Sequence, residues 1–370
     1  MNSRTPLALL GGLSPSQFMR RHWQKKPLLV RQAVPGFESP LSMQDLKALA
    51  AQSDVESRLI TQGPKNWTMR HGPLKARSFP ARTQRAWTFL VQGVNLHDDR
   101  VSDFMRQFRF VPDARLDDVM ISWASDGGGV GPHFDSYDVF LFQAQGRRRW
   151  RIGRSDDLAL QPDVPLKILR RFEPEAEFVL EPGDMLYLPP RYAHDGIAQG
   201  ECMTWSIGFR SAPRHEWARE ILSRLGDHLP VDPVLYGDAQ QACPSCPAEI
   251  PLAMHTHLQS VLKKSLANPM AAQRALGEWL TEPKAEVWFD SSPLWRGGQG
   301  VRLDRRSRML YDRHHVFLNG ESWRASGADA RLLRVLADQG RLNPAQVARA
   351  SADVLTCLQD WCEAGWVRPE

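Results

Sequence analysis

The residues of this chain best suited to chemistry lie in the segment GPHFD, where His133 and Asp135 stand two apart. In an extended segment such residues project from the same side, so an imidazole and a carboxylate here can address one point. One more histidine would complete a facial set of two histidines and one carboxylate, the donor set that holds iron(II) while leaving coordination positions open. His194, in LEPGDMLYLPPRYAHDG, is the candidate, because it follows a Gly-Asp turn and a strand that runs into prolines. A His-x-Asp triplet alone arises by chance in many chains, and a surface strand tolerates it; its company gives it weight. The preceding run DGGGVGP lets the chain turn sharply and approach a site closely. Beyond an expected turn at Gly146, Arg148 offers a planar fork to a carboxylate beside the metal. Alternation puts Arg148 and Trp150 on one face, with Arg147, Arg149 and Arg151 on the other.

The elements that must position these residues fall into four regions. Residues 1–115 mix helix and strand: Ser14 caps a helix whose first position is Pro15, and Ser42 caps another with Asp45 in its first turn. Strand-like KPLLVR lies between them, NWTMRHGPL and WTFLVQGVNL follow, and a helix carries Val101, Phe104, Met105 and Phe108. Residues 116–210 read as short strands separated by Gly/Pro turns: DDVMISWA, SYDVFLFQ, RRRWRIG, EFVLEPGDMLYLP and CMTWSIGF. That pattern predicts a closed or sandwiched β unit. Residues 211–285 are helical, with apolar stripes that need a partner, and a symmetric second copy is a common answer. Residues 286–370 mix strands with two helical patterns, an order compatible with a winged helix, which does not by itself establish nucleic-acid binding.

Composition sets outer bounds. The chain has 370 residues, 42% hydrophobic and 24% charged, which belongs to a globular protein of two or three domains. A net charge of +5 and a pI near 9.0 permit an acidic or ribonucleoprotein partner without demanding one. The cluster RLDRRSR, Arg302 to Arg308, reads as a solvated strand edge. No apolar run is long enough to span a membrane and no secretory signal is evident, so a cytoplasmic protein is expected. Five cysteines without framework spacing suit a reducing compartment. CPSC, at Cys243 to Cys246, with the nearby His255 and His257, is too compact for the usual zinc spacing and reads as a linker, while Cys357 and Cys362 read as helix core.

Taken together, GPHFD, GRRRW and EPGDMLYLPPRYAH resemble the JmjC-type cupin oxygenases, which depend on iron(II) and 2-oxoglutarate. More narrowly, the chain resembles the bacterial ribosomal oxygenases that hydroxylate an arginine of a large-subunit ribosomal protein. FMRRHWQKKPLLVRQA, WTFLVQGVNL, WSIGFR and the helical and winged-helix tail fall in the same order, so the likeness covers nearly the whole chain. Where members often carry tryptophan or glutamate beside the distal histidine, this chain has Tyr192-Ala193-His194-Asp195, which spares the ligand. The resemblance implies an α+β fold: a double-stranded β-helix (cupin or jelly-roll, JmjC) core with an N-terminal α/β elaboration, a helical dimerisation region and a C-terminal winged helix.

It also implies roles. His133, Asp135 and His194 would hold iron(II), and Arg148 would take the distal carboxylate of 2-oxoglutarate, with dioxygen as the third reactant. Ser122 matches a cosubstrate-contacting position; a hydroxyl bonded within the sheet is the alternative. Ser206, near the end of the barrel, is a weaker candidate of the same kind. Alternation puts Asp118 and Met120 on the face of Ser122. A carboxylate there would suit a substrate guanidinium, whereas on the outer face it would merely be solvated. Tyr137 is either an aromatic wall for the substrate or barrel packing. The expected reaction is hydroxylation at the β-carbon of an arginine. Histidine hydroxylation and lysine demethylation, both known among JmjC enzymes, remain open, as does a non-catalytic cupin that only binds.

Overall fold

The serines expected to start the first two helices do so: Ser14 accepts from the Gln17 amide ahead of α1 (Pro15–Arg21), and Ser42 from the Asp45 amide ahead of α2 (Met43–Ala50). The structure, a computed structural model, describes residues 3–63, 66–227, 229, 233–243, 245–291, 295 and 297–370. Its chain contacts divide into two units, Met1–Ser211 with Ala285–Trp288, and Ala212–Lys284 with Phe289–Glu370.

The first unit is built on one antiparallel sheet. Its strands are β1 (Leu28–Val30), β2 (Ser57–Gln62), β3 (Trp67–His71), β4 (Trp87–Val91), β5 (Leu116–Ala124), β6 (Val139–Gly153), β7 (Ala176–Leu180), β8 (Met185–Leu188) and β9 (Ala193–Phe209). They pair in the order β1-β8-β6-β9-β5-β4-β2-β3, with β7 joining β6 beyond β8. The β region thus recruits four strands from before residue 116. EFVLEPGDMLYLP forms two strands about its Gly-Asp turn, but the segment around PPRYAHDG is not wholly a turn, because β9 starts at Ala193 and runs unbroken to Phe209. Gly146 is not a turn between strands either. β6 runs straight through it, and the register with β9 shifts between Gln143 and Arg147 as a bulge.

Alternation gives the sheet two distinct faces. On one, Val119, Ile121, Trp123, Phe140, Phe142, Trp205, Ile207 and Phe209 pack under α1, α2 and α3 (Asp99–Met105). Each fully buried apolar side chain there contributes roughly 1.5–3 kcal/mol. On the other face β9 presents His194, Gly196, Ala198, Thr204, Ser206 and Gly208, opposite even-numbered residues of β5 and across from the inner residues of β6. Small and polar side chains there share the face of a buried histidine. A separate apolar cluster of Leu141, Trp150, Ile152, Leu180, Leu186 and Leu188 lines the rest.

The second unit contains α4 (Arg214–Asp227), α5 (Leu252–Ser265) and α6 (Pro269–Thr281), then β10 (Val301–Leu303), β11 (Met309–Tyr311), β12 (His315–Leu318), β13 (Glu321–Arg324), α7 (Gly327–Gln339), β14 (Arg341–Leu342), α8 (Pro344–Val347), α9 (Ala352–Glu363) and β15 (Val367–Pro369). The boundary expected at residue 285 does not separate α6 from the C-terminal strands. A Cβ at Gly277 would sit 2.3 Å from the Phe317 ring, Glu278 accepts from the Ser322 hydroxyl at 2.6 Å, and Thr281 accepts from the Gly320 amide at 3.1 Å. The core holds Cys362, with Cys357 against it. Arg306, expected on a solvated edge, instead donates to buried Asp304 at 2.8 Å. Burial alone would raise the Asp304 carboxyl, but hydrogen bonds from Arg306 and the charges of Arg306 and Arg368 hold it below the ordinary value. Cys243 and Cys246 are exposed free thiols, and Pro244 between them lies outside the described residues.

Candidate metal and cosubstrate site

His133 and Asp135 do not sit in a regular strand. His133 forms an isolated antiparallel bridge with His194, the amide of each donating to the other's carbonyl at 3.0 and 2.8 Å, and Asp135 follows in a loop. The close approach foreseen for the glycine run is real: a Cβ at Gly129 would lie 2.6 Å from the Gly196 carbonyl oxygen. The backbone bridge, rather than strand alternation, brings the two imidazoles together, tilted by 57° with ring centres 4.2 Å apart. Donor atoms of His133, Asp135 and His194 lie within 4.8 Å of one another, and His194 Nε2 is 3.6 Å from Asp135 Oδ2. Among the described residues this is the group of three potential ligands that converges.

The donor set fits a divalent ion. His133 Nδ1 donates to the Gly131 carbonyl at 2.9 Å, and His194 Nδ1 to the Tyr192 carbonyl at 3.0 Å. A carbonyl only accepts, so each Nδ1 carries the hydrogen and each Nε2 keeps its lone pair for metal. Burial, then the neighbouring His133, push His194 down to about 4 against the pull of Asp135, so the ring is neutral near pH 7, as a ligand must be.

Arg148 is 6% exposed, as alternation with Trp150 required. Its Nε donates to the Cys202 thiol at 3.4 Å, its guanidinium lies 5.7 Å from the Trp150 ring centre, and its buried Nη2 has no partner. A buried cation with an unanswered donor is the site a ligand carboxylate would fill. Trp150 was read only as a face marker, yet its ring stands 5.8 Å from His194 and its buried Nε1 is also unanswered. A Cβ at Gly196 would strike the Trp150 ring at 2.6 Å, so the glycine makes room for it.

The remaining predicted residues line the same interior. Ser122 donates to the Thr204 carbonyl at 3.5 Å, the bond within the sheet that was the alternative for it. Ser206 is buried opposite Met120 and Leu141. Asp118 is buried and accepts from Gln92, a residue that carried no signal in the sequence. Tyr137 is 38% exposed; the surrounding protein, then Asp135 and Asp118, raise its hydroxyl above the ordinary value. A Cβ at Gly208 would lie 3.8 Å from Asp118 Oδ1 and 3.9 Å from a Tyr137 ring carbon, so the glycine keeps a slot open between carboxylate and ring. Glycine inside a strand is a signal for such close approach, and WSIGF contained it.

The JmjC domain family matches residues 103–217, and the ROXA-like winged helix matches residues 264–368. Ribosomal protein uL16 3-hydroxylase of Escherichia coli K12 is 35% identical over 276 residues, which cover 73% of this chain and 72% of that protein. A probable ribosomal oxygenase of Haemophilus influenzae is 37% identical over 203 residues, 54% of this chain and 50% of that protein. The crystal structure of E. coli ycfD superimposes with a TM-score of 0.84 at 30% identity, covering 96% of this chain and 98% of that one. E. coli YcfD in complex with cobalt and 2-oxoglutarate superimposes with a TM-score of 0.80, also at 30% identity and with the same coverage. Fold and donor set therefore define a JmjC-type oxygenase dependent on iron(II), 2-oxoglutarate and dioxygen. Within that class the chain belongs to the bacterial ribosomal oxygenase family.

Proposed function

We propose that this protein hydroxylates the β-carbon of an arginine in a large-subunit ribosomal protein, with iron(II) held by His133, Asp135 and His194. The observation that carries the arginine reading is the slot at Gly208, where the Asp118 carboxylate and the Tyr137 ring stand on the interior side of the sheet beside the triad. A planar guanidinium finds there a carboxylate for its donors and an aromatic face for its plane. A neutral imidazole brings no charge to complement the carboxylate. The names of the relatives support a ribosomal protein as substrate.

Bound iron(II), with 2-oxoglutarate and dioxygen, supplies the oxidative decarboxylation that lets oxygen enter an unactivated C–H bond. The chain's own residues bind and orient. Gly131 and Tyr192 carbonyls fix the two imidazoles, Arg148 takes the far carboxylate of 2-oxoglutarate, and Asp118, Tyr137 and Met120 hold the substrate side chain. The wall of Trp150, Leu141, Leu186 and Leu188 excludes water from the cosubstrate. Ser122 and Ser206 are proposed cosubstrate neighbours. A cytoplasmic location follows from a ribosomal substrate, and no described helix is long and apolar enough to cross a membrane.

The test is incubation with iron(II), 2-oxoglutarate and ribosomal-protein peptides, read by tandem mass spectrometry. One added oxygen on the arginine β-carbon is expected, and none from His133→Ala or Asp135→Ala. Oxygen on histidine, or methyl loss from lysine, would overturn the arginine assignment; undiminished product from both variants would overturn the triad.

A further inference from the structure

The direction of the Asp118 carboxylate is set by neighbours on β2 and at the end of β4. Gln92 lies just past the end of β4 and donates Nε2–H to both Asp118 oxygens, at 3.1 and 2.9 Å. Its Oε1 accepts from Arg58 Nη2 on β2 at 3.2 Å. The two ends of a glutamine amide have similar shape, and here the neighbours decide which is which. A guanidinium can only donate and an ionised carboxylate can only accept, so the carbonyl end must face Arg58 and the amino end Asp118. A flipped amide would set acceptor against acceptor and donor against donor.

The register makes this arrangement a consequence of the sheet. Arg58 pairs with Leu90, and Leu90 with Ser122, so the three side chains share a face; Gln92, two residues past Leu90, continues it. The Gln92 amide donates to the Glu56 carbonyl at 2.9 Å, extending the ladder by one residue. Gly93 then turns the chain with a φ of 63°, and a Cβ there would stand 3.9 Å from Asp118 Oδ2. Gln92 and Gly93 thus border one edge of the carboxylate, while Oδ1 is the atom closest to Gly208 and the slot.

The geometry points to Arg58 and Gln92 as positioning residues that aim Asp118 across the Gly208 slot and so set the preference for a charged guanidinium over a neutral side chain of the same shape. This deepens the reading of Asp118 as the receptor for the substrate arginine and rests on it. A carboxylate held through both oxygens by one amide is fixed in its plane, and Oδ1, the oxygen nearer Gly208, can still accept from a guanidinium N–H there. Released from Gln92, the carboxylate would rotate and Oδ1 would no longer be aimed at that donor.

The experiment compares two peptides that differ only in having arginine or citrulline at the acceptor position. Citrulline keeps the planar shape and loses the charge. In Gln92→Ala and Arg58→Met, KM for the arginine peptide is expected to rise about tenfold, the effect of one misdirected charge-assisted hydrogen bond. The effect on kcat is expected to be smaller, and the preference for arginine over citrulline to shrink in proportion. Arg58→Lys, which keeps a donor, should recover most of the loss. Melting temperatures measured alongside separate this from misfolding. If Gln92→Ala retains wild-type KM and preference while Asp118→Asn loses both, the positioning role is wrong and the arginine reading stands. If Asp118→Asn retains both as well, the arginine reading itself falls. A Gln92→Ala variant that melts lower and loses kcat but keeps its preference would mark a merely structural residue and overturn the inference.

Discussion

At the scale of single residues, Arg148 carries opposite consequences for stability and for binding. Its Nη2 is buried without a partner, and a buried donor left unanswered costs about 1–3 kcal/mol. Without cosubstrate the guanidinium therefore opposes folding, and a ligand carboxylate removes that penalty. Arg148→Met should leave the ligand-free melting temperature at or above that of the unaltered chain. It should also abolish the rise that 2-oxoglutarate produces with a divalent metal present. A variant that melts well below the parent, or that keeps the ligand-induced rise, would refute the assignment. This residue was legible in the sequence because local alternation with Trp150 separated it from Arg147, Arg149 and Arg151. Gln92 was not legible, because a glutamine after a strand has no distinguishing spacing and its value comes from Arg58 and Asp118, which only the folded sheet brings to it. The two histidines were found for a reason that was only half right. They converge through a backbone bridge between distant segments, not because His133 lies in a strand.

At the scale of elements, the bulge in β6 decides which way Arg148 points. Before it, odd-numbered Val139 and Leu141 share the inner cluster; after it, even-numbered Trp150 and Ile152 do. Strict alternation across the whole strand would have sent Arg148 to the side of Phe140 and Phe142, away from the iron ligands. The irregular stretch between Gln143 and Arg147 includes Gly146, whose φ is 65° and where a Cβ would lie 2.1 Å from the Glu201 carbonyl oxygen. Gly146→Ala should therefore lower the melting temperature, with the left-handed backbone alone costing about 1 kcal/mol. In the protein that still folds, KM for 2-oxoglutarate should rise more than KM for the peptide, because the bulge aims the cosubstrate anchor and not the substrate slot. Equal changes in both constants would show that the bulge has no special hold on Arg148. In the sequence Gly146 read as a turn, since a glycine between two strand patterns signals a turn or a bulge alike. Continuous pairing with β9 decides between them, and that pairing is non-local.

For the whole molecule, the order of regions was legible but their grouping was not: α6 reads as one more amphipathic helix until its contacts with Phe317 and Ser322 place it against the C-terminal strands. What α4 and α5 cover is a separate matter. α4 meets α6 through Trp217 and Trp279, with ring centres 5.1 Å apart, while Leu222 on the same helix is 56% exposed. α5 has no buried residue at all, and Leu252, Leu258 and Leu262 are 80, 54 and 52% exposed. Met254, Leu258, Val261 and Leu262 fall at helical spacing on one side of α5, a stripe that single scattered apolar residues would not make. A second copy of the chain, which brings the same stripe by symmetry, is the partner we propose for it. Sedimentation should then show a dimer that dissociates on dilution, and Leu258→Asp with Leu262→Asp should shift it to monomer by placing charges where the apolar rows meet. The double variant's core is untouched, since neither leucine is buried, so its far-ultraviolet circular dichroism should match the parent. A parent chain that sediments as one monomeric species across a wide concentration range would refute the dimer and leave the α5 stripe for some other partner.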